Sequence, residues 1–131
     1  MKKFLLFAAI ATLFTVACNK KDSAPEAPSL IHKWSLVSSH YLEMDNGTVV
    51  GDDNYIGTTT DYLEFKTDNK VYSLINGQND IADYQLLPDS KVTIDGDAYT
   101  IEELTINSAR LYQKYSLSAD GYVEVTINLK R

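Results

Sequence analysis

The last stretch of the chain, Tyr122 to Lys130, alternates polar and apolar residues without a break, so Val123, Val125, Ile127 and Leu129 share one face. A period of two marks a strand buried on one side. Segments of similar character run from Lys33 to Glu43, Asp61 to Lys66, Val71 to Ile75, Ile81 to Leu87, Lys91 to Asp95, Ala98 to Thr105 and Ala109 to Ser116, making eight predicted strands. Asn76-Gly77 and Asp95-Gly96 accept the positive φ values of a type I′ turn, and Asp68-Asn69 and Asp120-Gly121 are similar turn formers. Such turns join sequence neighbours into antiparallel hairpins. No apolar period of about 3.6 residues is sustained between Leu30 and Arg131, which argues against helices and parallel crossovers. The expected fold class is all-β. Sequential hairpins favour an eight-stranded antiparallel up-and-down barrel, which removes aggregation-prone edges, with an immunoglobulin-like β-sandwich as the alternative.

The start of the chain follows a different pattern. Met1-Lys2-Lys3 is basic, and Phe4 to Val16 carries no charge, a run too short to span a bilayer but suited to the apolar core of a signal peptide. It ends in Thr15-Val16-Ala17-Cys18, followed by polar Asn19-Lys20-Lys21-Asp22. This segment resembles the lipobox of bacterial lipoproteins, differing in having Thr15 where Leu is commonest. The resemblance implies cleavage before Cys18, acylation of its thiol and anchoring in the cell envelope. The outer membrane is the expected location, with its face left open.

The division that follows is a signal peptide over residues 1–17, a lipidated Cys18 with a flexible tether over 18–29, and one domain over 30–131. The tether holds Pro25, Glu26 and Pro28 with little to bury. Lys21-Asp22 and Asp22-Ser23-Ala24 faintly resemble the surface-export and O-glycosylation signals of Bacteroidota lipoproteins. Asn46-Gly47-Thr48 reads as a turn.

Composition narrows the function. The 131 residues carry a formal charge of −6, and losing Lys2 and Lys3 with the leader makes the mature chain more acidic still. A phosphate backbone would be repelled, so nucleic acid is not an expected partner. The single cysteine excludes an intramolecular disulfide. His32 and His40 would lie about 26 Å apart along one strand, too far to ligate one metal. Glu102 and Glu103 are adjacent and face opposite ways, and no G-x-S-x-G is present, so no catalytic set stands out. Neither a cofactor nor an enzymatic activity is expected.

Within the domain, Lys33-Trp34-Ser35-Leu36-Val37-Ser38, Asp61-Tyr62-Leu63-Glu64-Phe65-Lys66-Thr67-Asp68-Asn69-Lys70-Val71-Tyr72, Ala82-Asp83-Tyr84-Gln85-Leu86, Val92-Thr93-Ile94-Asp95-Gly96-Asp97 and Tyr99-Thr100-Ile101-Glu102-Glu103-Leu104-Thr105 resemble the small lipocalin-like domains of Bacteroidota lipoproteins. The resemblance implies an antiparallel barrel with the Trp34 strand first and its indole plugging one end. The chain departs from lipocalins proper in having His32 where Gly usually precedes the tryptophan, and in stopping at Arg131 without a following helix.

Alternation places Trp34, Leu36, Leu63, Phe65, Tyr84, Leu86, Tyr99, Ile101, Leu111, Val125 and Ile127 inside. They either fill the barrel or line a pocket for a small apolar or amphipathic ligand. The connection from Met44 to Thr60, with Asp45, Asp52, Asp53 and Tyr55, is expected to be a lid loop. Its aspartates lack EF-hand spacing and read as a solvated acidic turn, with no metal expected. The leading function is a non-catalytic, lipid-anchored, monomeric ligand-binding module. The alternative is a structural or protein/glycan-interaction module that uses loops or outer-face residues such as Tyr41, Tyr62 and Tyr122. If Cys18 carries the anchor, Cys18→Ser moves the protein from the membrane pellet to the soluble fraction on ultracentrifugation, and an unchanged pellet refutes the anchor.

Overall fold

The computed structural model describes residues 25–131; the leader, Cys18 and Asp22-Ser23-Ala24 lie outside the described residues. The strands are β1 (Lys33–Asp45), β2 (Thr48–Ile56), β3 (Tyr62–Phe65), β4 (Lys70–Ile75), β5 (Gln78–Leu87), β6 (Lys91–Ile94), β7 (Asp97–Leu104), β8 (Ser108–Ser116) and β9 (Gly121–Lys130). From β3 onward each pairs antiparallel with the next, and β9 returns to β1, which also holds β3. β1 and β3 to β9 therefore close an eight-stranded up-and-down barrel rather than splitting into two sheets. β2 is an additional strand, paired with β1 outside the closed ring.

β2 corrects the expectation of a lid between Met44 and Thr60. Asn46 and Gly47 take φ of 49° and 75°, the left-handed values that a type I′ turn needs, and fold β2 back along β1. Its sequence, TVVGDDNYI, shows no alternation because an edge strand with so little burial needs none. Asn76-Gly77 and Asp95-Gly96 take left-handed φ values as expected. Gly121 does not: it opens β9, and a Cβ there would stand 2.7 Å from Ser118 Oγ, so space rather than φ calls for glycine.

One edge of β1 is shared. Its first residues, Lys33 to Ser35, pair with β3, and from Ser38 onward the same edge pairs with β2. At the changeover Leu36 pairs with Leu129 and Ser38 with Asn128, leaving Val37 as a bulge. The bulge reverses which residues face inward. Trp34 and Leu36 face the core before it, and Ser39, Tyr41 and Glu43 continue that face after it.

The chain enters at the base of the barrel, where Trp34 is fully buried and its indole Nε1 donates to the Leu30 carbonyl at 2.9 Å. Leu36, Leu63, Phe65, Val71, Tyr84, Val92, Ala109, Leu111 and Leu129 complete the buried core. The Phe65 and Tyr84 rings meet edge to face at 5.1 Å, and the Tyr84 hydroxyl donates to the Lys66 carbonyl at 2.6 Å. This lower half is filled with side chains.

Gly57 lies against the bulge, its N–H donating to the Val37 carbonyl at 3.0 Å. A Cβ at this position would come within 2.0 Å of the Leu36 carbonyl oxygen, a backbone atom that cannot swing aside. Gly57→Ala should therefore destabilise the fold by about 1–3 kcal/mol, as overpacking does, whereas exposed Thr59→Ala should stay within about 0.5 kcal/mol. Denaturant midpoints of the two variants check this.

A candidate ligand site at the barrel mouth

At the end opposite Trp34 the inward-facing residues change character. Tyr55, Ile75, Ala82, Ile94, Tyr99 and Ile127 pack on the core but stay partly open to solvent. One wall stands higher than the other, because β2, β1, β9 and β8 run on past the short strands β3, β4 and β6. Cross-strand register lays its inner face out in rows. The lowest contains Tyr55, Ser39, Ile127, Leu111 and Ile101. The next contains Asp53, Tyr41, Val125 and Gln113, and the one above it Gly51, Glu43, Val123 and Tyr115. Continuing the Thr100↔Tyr112 pairing sets Tyr99 beside Gln113 and Asp97 beside Tyr115.

The Tyr41 ring lies over the bare backbone of Gly51, whose added Cβ would meet Tyr41 Cε1 at 3.3 Å. Its hydroxyl donates to Glu43 Oε2 at 2.8 Å. That bond, helped by burial and by neighbouring negative groups including Asp53, pushes the Tyr41 phenol up to about 12. Tyr41 is thus a neutral donor at any physiological pH. Tyr99 is pushed up as well, first by burial and then by Asp97 and Tyr115. Gln113, in phase with Ala109 and Leu111 on β8, is only 8% exposed. No side-chain polar atom among the described residues is both fully buried and unpartnered.

Asp61, 1% exposed, holds the rim together. Its carboxylate accepts from the Tyr55 hydroxyl at 2.5 Å, the Thr58 amide at 2.8 Å and the Asn76 amide at 3.0 Å, linking β2, the following loop and the β4–β5 turn. The Thr58 amide and the Tyr55 hydroxyl, with the Asn76 amide, hold the carboxyl down at about 2 against the cost of its burial.

Of the residues expected inside, Trp34, Leu36, Leu63, Phe65, Tyr84 and Leu111 are core, while Tyr99, Ile101, Val125 and Ile127 face inward and are partly exposed. Leu86 is not interior: it shares the facing of Tyr84 but sits at the base rim and is 44% exposed. Tyr41 is not on the outer face, because the Val37 bulge turns it into the mouth; Tyr62 and Tyr122 do face outward. Among the expected lid residues, Asp53 and Tyr55 join the inner wall, Asp52 faces outward to His40 Nε2 at 2.8 Å, and Asp45 ends β1. Sequence reasoning missed Glu43, Gln113 and Tyr115; for Gln113 the signal was a polar residue in phase with Ala109 and Leu111.

Two surface grooves lie elsewhere. One of about 480 Å³ runs between Pro28, Leu30, Leu86 and Leu104 at the base, and one of about 430 Å³ lies beside Val37 and Gly57. Neither is lined by a buried polar side chain, so the mouth is the better-built site despite the size of the grooves.

Comparison with family models, with curated proteins and with solved structures returns no match.

The Asp61 carboxyl lies below its unfolded value of 3.8, so its contribution to stability is present above that value and is lost as pH falls towards about 2. Asp61→Asn should lower the Tm at neutral pH by several degrees and flatten the loss of Tm between about pH 5 and 2. Thermal melts across that range check both.

Proposed function

We propose that this protein is a lipid-anchored lipoprotein of the cell envelope whose lipocalin-like barrel binds a small amphipathic molecule at its mouth without acting on it. The observation that carries this reading is the contrast between the two ends. The base is closed by Trp34 and Leu30, while the mouth offers partly open apolar residues beside the Gln113 amide, which keeps contact with solvent. Apolar walls with a few convergent polar groups are the general form of a small-molecule site. The lipobox resemblance supports the anchor, and the acidic charge argues against a nucleic-acid role.

The filled lower half and the exposed Val49, Val50 and Ile56 of β2 favour a second reading, a solid scaffold that engages a protein or glycan from outside. A neutral fluorescent probe, N-phenyl-1-naphthylamine, separates the two when titrated into the full chain. Mouth binding predicts that Tyr99→Ala and Gln113→Leu each change its affinity by roughly tenfold, Tyr99→Ala weakening it, while Leu86→Ala at the base does nothing. Affinity indifferent to the mouth variants, or no binding, selects the scaffold.

A further inference from the structure

Among the described residues β2 is the one strand with an open edge. Every other strand is paired on both sides, whereas β2 is hydrogen-bonded to β1 alone. The Gly57 N–H donates to the Val37 carbonyl, and β1 keeps that same register with β2 from Ser38↔Ile56 to Glu43↔Gly51. Alternation along an antiparallel pair then turns the backbone groups of Asp53 and Tyr55 towards β1 and those of Asp52, Asn54 and Ile56 away from it. No backbone hydrogen bond among the described residues reaches these three from the open side.

Natural sheets blunt such edges with Pro, Lys or a bulge. β2 contains no Pro, Lys or Arg. Its bulge lies at the start, where Val50 is inserted between the partners of Met44 and Glu43, and its centre carries Asp52 and Asp53. Beyond the bulge the edge is regular. Where it ends, a groove of about 430 Å³ opens beside Ile56, Val37 and Gly57. Ile56 is 66% exposed there, and Lys130 on the far wall suits the groove to an uncharged side chain.

The aspartates decide which strand can pair. Asp52 lies on the outer face against His40, and Asp53 on the inner face. Pairing all nine residues of β2 with a second copy of the chain sets Asp52 opposite its own equivalent, a like-charge contact that opposes pairing. The two-fold axis of that pair also turns the second barrel end for end, so the two Trp34 ends, with the chains leading from them, point in opposite directions. A basic strand meets attraction at the same positions, and the acidic chain as a whole steers it in.

From this edge we infer that β2 docks an extended, basic segment of a partner protein, which adds to the sheet antiparallel to it. The segment bonds through its backbone to Asp52, Asn54 and Ile56. A Lys or Arg faces Asp52, and an apolar residue four positions earlier rests beside Ile56 in the groove. The inference rests on the second reading above, in which a protein is engaged from outside, and narrows it to one surface and one partner class.

The test adds blocked peptides to the isotope-labelled full chain and follows amide exchange by NMR. The basic peptide Val-Thr-Thr-Lys-Arg-Thr-Val should slow exchange at Asp52, Asn54 and Ile56 by about tenfold or more, while Asp53 and Tyr55, already bonded to β1, change little. Methylating its first, third and fifth backbone nitrogens keeps the charge and removes the edge donors, and this peptide should bind at least about tenfold more weakly, as should Val-Thr-Thr-Glu-Glu-Thr-Val. Asn54→Pro removes an N–H that β1 does not use and should abolish the protection; Asp52→Lys, which leaves the backbone untouched, should shift the preference to the acidic peptide. Binding of the basic peptide without protection at the three amides overturns the edge and leaves engagement from outside standing. Slow exchange at those amides in the free chain, lost on dilution, assigns the edge to a second copy and overturns the partner. If no peptide binds, the edge inference and the outside reading fall together.

Discussion

The hand-over on β1 organises the molecule. A single edge of this strand must serve β3 near the base and β2 above it, and the two cannot occupy the same backbone groups. The chain resolves the conflict within a few residues. Val37 bulges out, Gly57 donates to the Val37 carbonyl as β2 ends, and the Leu36 amide donates to the Asp61 carbonyl as β3 begins. Every donor at the junction that these bonds satisfy would otherwise be an open backbone group beside the core. The Asp61 side chain then ties the same junction to the β4–β5 turn through Asn76.

Two consequences follow from that junction. Because β2 takes over an edge that β3 has left, β1, β9 and β8 gain a fourth strand above the rim, and the barrel becomes taller on one side. Because the bulge inserts one residue, the alternation of β1 slips and Tyr41 and Glu43 turn inward. Without the bulge, Tyr41 would lie on the same outer surface as Tyr62. The mouth chemistry and the closure of the barrel thus have one physical origin.

This also explains what could be read from the sequence and what could not. The Trp34, Leu63, Phe65 and Leu111 core was legible because regular strands translate alternation directly into facing, and the Asn76-Gly77 and Asp95-Gly96 turns because their φ requirement is local. β2 was illegible for the opposite reason: a strand with little to bury leaves no apolar pattern, and only the Asn46-Gly47 turn hinted at it. The Val37 bulge is set by competition between β2 and β3, residues far apart in sequence, so the facing of Tyr41 was misread with it. Leu86 has the correct phase but lies at the base rim, beyond the neighbours that would cover it, and alternation carries no information about height along a barrel.

The acidic mouth differs from the rest of the domain in how its charges are balanced. Outside, Lys70 with Asp83, Lys66 with Glu64 and Lys114 with Glu124 offset one another, although exposed pairs of this kind contribute little to stability. Inside the mouth, Glu43, Asp53, Asp80 and Asp97 have no positive partner on the same face, and because three of them are exposed, water screens them from one another. The tether joins the barrel beside Leu30 and Trp34, where the lysines and arginines gather. In the proposed anchored form the Trp34 end therefore sits towards the membrane and the mouth points away from it. The mouth then stays open to solvent at the end of the barrel farthest from the headgroups.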